Sequence, residues 1–209
     1  MGYRVIHLIE AAYWLDDLEY SQLVEQCEHI YSGLTADENC SGQICMTISD
    51  RVRTILSEDG WWPGEAAFRR PRFAQGRKIC FEEALNAASE HMQEGEMWAV
   101  ILYTAGGIRR PKRTMLHKWK KKLWIPLLLL AVKTVHADSR FLESYTEGYN
   151  VFPVGMSSDV IEKVKGYGKT QQAREFLLPV WKEMEEKELS LEDWEEVWEL
   201  IRKRVGTLL

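Results

Sequence analysis

The sequence predicts a mainly α-helical protein, a single globular helical domain (1–209) with at most one short strand (97–104) and a C-terminal antiparallel helical pair. Three observations carry this reading. Apolar residues recur at helical spacing along most of the chain. A 45% hydrophobic content with nine tryptophans among 209 residues supplies a core for one domain. Only Met97 to Tyr103 runs apolar without a break between glycines, Gly95 and Gly106-Gly107. Charge divides the domain where no linker does. An acidic helical N-terminal part (1–59) carries a net −8, a basic middle (60–122) a net +7, and a helical C-terminal part (123–209) a net −4.

In chain order, Val5, Leu8, Ile9, Ala12 and Leu15 have helical spacing, as do Leu23, Val24, Cys27, Ile30 and Tyr31. Gly33 with Leu34 suits a helix C-terminus, and Thr35 with Glu38 has the spacing of a capping box. Ile44, Ile48, Val52, Ile55 and Leu56 mark a further helix, stopped near Gly60. Gly60 to Gly64 reads as a turn and Arg69 to Phe73 as a basic loop. Phe81, Ala84, Leu85, Ala88 and Met92 share a helix face. Met97 to Tyr103 suits a buried strand or a short core helix; periodicity does not separate them, and strand is favoured. Met115, Leu116, Trp119 and Leu123 then line a helix, Pro126 restarts or kinks it, and Leu127 to Val135 is apolar all round, as in a buried helix. Asp159 and Glu162 start a short helix that Gly166 ends. Ala173, Phe176, Leu177, Val180, Trp181 and Met184 form one inward stripe, kinked at Pro179. Leu191, Trp194, Val197, Trp198, Ile201 and Val205 form the other, capped by Ser190.

The functional expectation rests on the basic middle. Arg109, Arg110, Lys112, Arg113, Lys118, Lys120, Lys121 and Lys122 fall within fourteen residues that contain no acid. Arg69, Arg70 and Arg72 lie upstream, beside Arg77 and Lys78. Arginine and lysine at this density suit phosphate contacts, with Trp119 able to stack on a base. The sequence therefore predicts a non-enzymatic protein that binds a polyanion, nucleic acid or nucleoprotein, through these residues; a solvated face balancing the acidic ends is the plainer reading. An alternative is a regulator or inhibitor of a nucleic-acid enzyme. It would present acidic and aromatic helices, with nine carboxylates between Glu183 and Glu199, to a basic protein surface. An unrecognised enzyme is the third reading.

Other motifs are weak. Gly166-Tyr167-Gly168-Lys169-Thr170 resembles the end of a phosphate-binding loop, but Lys163 stands where its first glycine belongs, and two helix ends meeting explains it better. Cys27, His29, Cys40 and Cys45 lack zinc spacing, so no metal is assigned. No nucleophile elbow, metalloprotease helix or dinucleotide-binding glycine pattern occurs, so neither a catalytic residue nor a cofactor is assigned. Leu123 to Val132 is about half a bilayer span, and no leader pattern precedes residue 20. The expected setting is the cytoplasm, away from membranes, with reduced cysteines.

Overall fold

The computed structural model describes residues 2–12, 14–49, 51–55, 61–70, 81–93, 96–108, 127–137, 139–146, 150–190 and 192–206. In chain order these form β1 (Tyr3–Glu10), α1 (Asp17–Thr35), β2 (Cys40–Ile48), β3 (Val52–Ile55) and a 3₁₀ turn (Glu65–Phe68). There follow α2 (Phe81–Ser89), β4 (Met97–Thr104), β5 (Leu127–Lys133), α3 (Ser139–Thr146), β6 (Val151–Pro153), α4 (Ser157–Glu186) and α5 (Trp194–Gly206). The strands make one sheet in the order β3-β2-β1-β4-β5-β6. Only β3 runs antiparallel to its neighbour.

The mainly helical expectation is thus corrected to α/β, and the reason is physical. Parallel strands covered on both faces carry apolar residues without alternation. In β4 all eight residues are buried, and in β1 all but Arg4. A run so apolar contains Val5, Leu8 and Ile9 at helical spacing by necessity, so the spacing carried no information. Ile44, Ile48, Val52 and Ile55, expected on one helix, lie on β2 and its antiparallel partner β3. Leu127 to Val132, expected as a buried helix, is β5, paired with β4 from Trp98↔Leu127 to Thr104↔Lys133.

Both faces are covered. Val5, Ile9, Ile101, Leu130 and Val132 share a core with Leu23, Cys27 and Ile30 of α1 and with Val160 and Val164 of α4. Ile6, Leu8, Val100, Leu102 and Leu129 share the other with Ala84, Leu85 and Ala88 of α2 and with Leu142 and Tyr145 of α3. Each valine, leucine or isoleucine among them contributes about 1.5–3 kcal/mol on burial.

The helices follow the sequence more closely. The Leu23–Tyr31 stripe is the buried side of α1, whose N-terminus is capped by Asp16 Oδ1 accepting from the Leu18 amide at 2.8 Å. Gly33 does not end it; α1 runs to Thr35, whose hydroxyl donates to the Tyr31 carbonyl instead of opening a capping box. Gly166 and Gly168 lie within α4, a continuous 30-residue helix that also holds Pro179. Thr170 donates back to the Gly166 carbonyl at 2.9 Å, so the two expected helix ends do not exist. The chain divides into two compact units, Met1–Lys165 and Gly166–Leu209. The second has a small core of Val180, Met184, Val197 and Leu200. Trp181 and Trp198, expected inward, are 47% and 41% exposed. No helix among the described residues is long and apolar enough to cross a membrane.

One polar side chain sits at the centre of β1. His7 is fully buried, with Nδ1 2.9 Å from the Tyr103 hydroxyl and Nε2 2.9 Å from Gln43 Oε1. The Gln43 amide nitrogen donates to the Tyr31 carbonyl and to Thr35 Oγ1, which turns its oxygen toward the ring. Nε2 therefore carries the proton and Tyr103 donates to Nδ1. Burial pushes the imidazole pKa down to about 4, against the lesser upward pull of Gln43. The unfolded imidazole titrates near 6.5, so the unfolded chain takes up a proton first. The stability held above that pH is lost as pH falls from about 6.5 to 4, by about 3 kcal/mol in all. Urea midpoints at pH 7 and pH 4 should show this loss, and it should shrink by a like amount in His7→Gln.

Candidate functional site

In an open parallel sheet, ligands bind outside the carboxyl ends of the strands where the strand order reverses. Here that point lies between β1 and β4, since the chain leaves β1 toward β2 and later crosses back to β4. Ile9 pairs with Tyr103, so the next residues, Glu10 and Thr104, stand side by side at the crevice.

Glu10 is 1% exposed. Its Oε2 accepts from the Thr104 hydroxyl at 2.5 Å and from the Ala105 amide at 3.0 Å. Thr104 Oγ1 in turn accepts from the Gly106 amide at 2.9 Å. Oε1 is buried and faces the Gly107 backbone without completing an aligned hydrogen bond. Burial raises the carboxyl pKa above its ordinary value; the Thr104 hydroxyl and the amides of Ala105, Gly107 and Gly106 pull it back in part. Both glycines are required. Gly106 has φ +92°, in the left-handed region, and a Cβ on Gly107 would lie 2.0 Å from Glu10 Oε1. Thr134 closes the far side: its amide donates to the Thr104 carbonyl at 3.1 Å and its hydroxyl to Glu19 Oε1 at 3.2 Å.

Apolar side chains are exposed beyond the carboxyl ends of the parallel strands. Trp14 and Leu18 follow β1, Val135 follows β5 and Met156 follows β6; they are 41%, 67%, 85% and 37% exposed. A second concavity, an open cleft of about 640 Å³, lies between α1 and the 3₁₀ turn and is lined by Tyr20, Val24, Glu25, His29, Glu65 and Phe68 among others. None of its lining polar atoms is among those buried without a partner.

No family model matches the chain, and no curated protein does. Solved structures do. In fold, the chain resembles von Willebrand factor type A domains. A von Willebrand factor type A protein from Catenulispora acidiphila matches at 10% identity over 81% of this chain and 42% of its own, with a TM-score of 0.53. Proximal thread matrix protein 1 from the mussel byssus, with a zinc-occupied MIDAS motif, matches at 14% identity over 78% of this chain and 46% of its own, TM-score 0.56. The manganese-loaded TRAP protein of Plasmodium vivax matches at 9% identity over 79% and 73%, TM-score 0.59. At such identities the likeness shows the fold alone. The chain spans about half the length of the mussel protein.

Two of these neighbours carry a metal, so the donor set here was tested against one. Magnesium, calcium and manganese take about six oxygens; zinc takes about four nitrogen, sulfur or oxygen ligands. Glu10 and Thr104 are bonded to each other, and Ala11 and Ala12, which follow, have no side-chain donor. Among the described residues no group of three His, Cys, Asp or Glu could hold an ion. The described residues of the crevice do not fit a metal. Cys27 and Cys45 are core thiols, Cys40 is half-buried and His29 is exposed.

Of the sequence-predicted polyanion-site residues, Arg69 and Arg70 fall among the described residues. Arg109, Arg110, Lys112, Arg113, Lys118, Trp119, Lys120, Lys121, Lys122 and Arg72 lie outside the described residues. Arg69 is exposed. Arg70 is spent internally, paired with Asp17, donating to the Leu15 carbonyl and stacked over Tyr20. The nucleic-acid and nucleoprotein reading is corrected, because it was attached to a mainly helical molecule, whereas the chain has an α/β fold like that of von Willebrand factor type A structures. The inhibitor reading, with its basic protein partner, assumed a mainly helical molecule and falls with it. Sequence reasoning missed Glu10, Thr104 and Trp14. The available signal was the Gly106-Gly107 pair closing an apolar run, legible as a crevice only once β1 is known to lie beside β4.

Gly107→Ala should cost about 1–3 kcal/mol, the range for forcing atoms into filled space. The urea midpoint measures it, and the loss should be smaller in a Glu10→Ala background, where the colliding oxygen is gone.

Proposed function

We propose that the chain is a non-enzymatic, cytoplasmic protein-binding module that docks a partner protein on the carboxyl edge of its sheet. The apolar rim carries the reading. Single exposed apolar residues are ordinary, but Trp14, Leu18 in the first turn of α1, Val135 and Met156 follow three strands whose carboxyl ends the parallel topology brings to one edge. An exposed tryptophan among aliphatic side chains is the composition of an interface anchor. The cytoplasmic setting draws on the cysteines: Cys27, Cys40 and Cys45 are free thiols, as a reducing compartment keeps them.

A photo-crosslinking residue placed at Val135 should capture a discrete protein in cells of the native host, and Trp14→Ser should reduce that adduct by about tenfold or more, the effect of losing an anchor. The same probe at Glu38, exposed at the opposite edge before β2, serves as control. Equal adducts from both positions, or an adduct indifferent to Trp14→Ser, would overturn the proposal.

A further inference from the structure

We infer that Glu10 and Thr104 form a built-in lock which takes the place of a divalent cation at the switch point, so that the crevice holds its shape without one. The inference concerns the same crevice but stands whether or not a protein docks on its rim.

Its first support is that Glu10 Oε2 and Thr104 Oγ1 are already committed to partners within the chain, while Glu10 Oε1 is packed against the Gly107 backbone. Glu10 Oε2 takes two donors, the Thr104 hydroxyl and the Ala105 amide. Thr104 Oγ1 gives its proton to Glu10 and accepts the Gly106 amide. A cation entering here would have to break both arrangements. The second support is the sign of the local field. The Ala105 amide donates to the carboxyl, and the Gly106 amide donates to the Thr104 hydroxyl bonded to it. The Gly107 backbone lies against Oε1, so backbone N–H groups cluster here as in the nests that bind anions. Such a nest attracts a carboxylate and repels a cation placed among its N–H groups. The third support is space. A Cβ on Gly107 would reach within 2.0 Å of Glu10 Oε1, so carboxylate and glycine backbone are in direct contact, with no room for an ion between them.

The lock also does mechanical work. It bonds the end of β1 to the end of β4 across 94 residues of sequence, and Thr134 extends the tie to β5 through the Thr104 carbonyl. The ends of β1, β4 and β5 are thereby tied to one another within the chain. A neighbour such as the manganese-loaded Plasmodium protein holds an ion; this chain has a carboxylate already seated in an anion nest.

The test is a set of thermal melts of the full chain, in EDTA and with about 1 mM Mg²⁺, Mn²⁺, Ca²⁺ or Zn²⁺ added singly. The expected result is a melting temperature that agrees within about 1 °C across all five conditions. In EDTA, Thr104→Val should lower it by several degrees, and Glu10→Ala likewise. The double variant should fall short of the sum by about 2 °C or more, because the two side chains share one interaction. A saturable rise with any of the ions that Glu10→Gln abolishes would overturn the inference, as would a Thr104→Val variant that melts with the parent. If Glu10→Ala does not fold, the Thr104→Val melt and the ion series still decide the matter. A rise that persists in both Glu10→Gln and Thr104→Val puts the ion elsewhere and leaves the lock standing. No partner enters these melts, so they can fail independently of the docking experiment.

Discussion

β1, β4 and β5 have helices packed on both faces of the sheet, so the side chains they carry are overwhelmingly apolar, and a polar one is costly unless it finds hydrogen-bond partners. The apolar runs of the sequence follow from this, and so does the placement of function. Central strands buried on both faces can meet a partner only at their ends, through the loops beyond them. The carboxyl ends of β1 and β4 diverge in topology, one loop leading to each side of the sheet, and the space between those loops is the crevice.

The same constraint sorts the polar residues on these strands. His7 and Glu10 are three positions apart on β1, and burial disfavours the charged form of each. His7 is accommodated as a neutral ring between Tyr103 and Gln43, where one donor and one acceptor are all it needs. Glu10 sits at the strand's end, where the backbone leaves the sheet and free amides are at hand. Its burial pushes the pKa up, opposite in sign to the shift at His7. Stability contributed by Glu10 is therefore fullest at acid pH and lost as pH rises through its folded value, whereas that from His7 is lost as pH falls. The two effects oppose each other in sign.

How much of this was legible depended on the kind of element. Helices with one wet face show their period, and the Leu23–Tyr31 and Phe81–Ala88 stripes correspond to α1 and α2. Met97 to Tyr103, bounded by glycines, was legible as a strand. Strands covered on both faces have no period to read, so β1 and β5 looked like helices and the fold class was misjudged. At the site, Glu10 is one carboxylate among thirty-two acids, and nothing local separates it from the rest. What distinguishes it is the pairing of Ile9 with Tyr103, a contact between residues far apart in the chain. The basic cluster was conspicuous for the opposite reason: charge density is visible without any fold, and so attracted a role the α/β architecture does not support.

A crevice held by a bound ion is only as ordered as the ion's concentration allows, since binding stabilises by an amount that grows with the logarithm of free ligand over its dissociation constant. A crevice held by side chains has no such dependence. Glu10 and Thr104 are at effectively fixed concentration because β1 and β4 are neighbours along seven paired positions. The ordering of the loops is then part of folding rather than of ligand binding, and a partner meets Trp14, Leu18, Val135 and Met156 already in place. Preorganisation of this kind lowers the entropy lost on association, the largest cost a small apolar interface must overcome. In the proposed docking, the hydrogen bond between Glu10 and Thr104 at the floor of the crevice fixes the ends of β1 and β4 before a partner arrives.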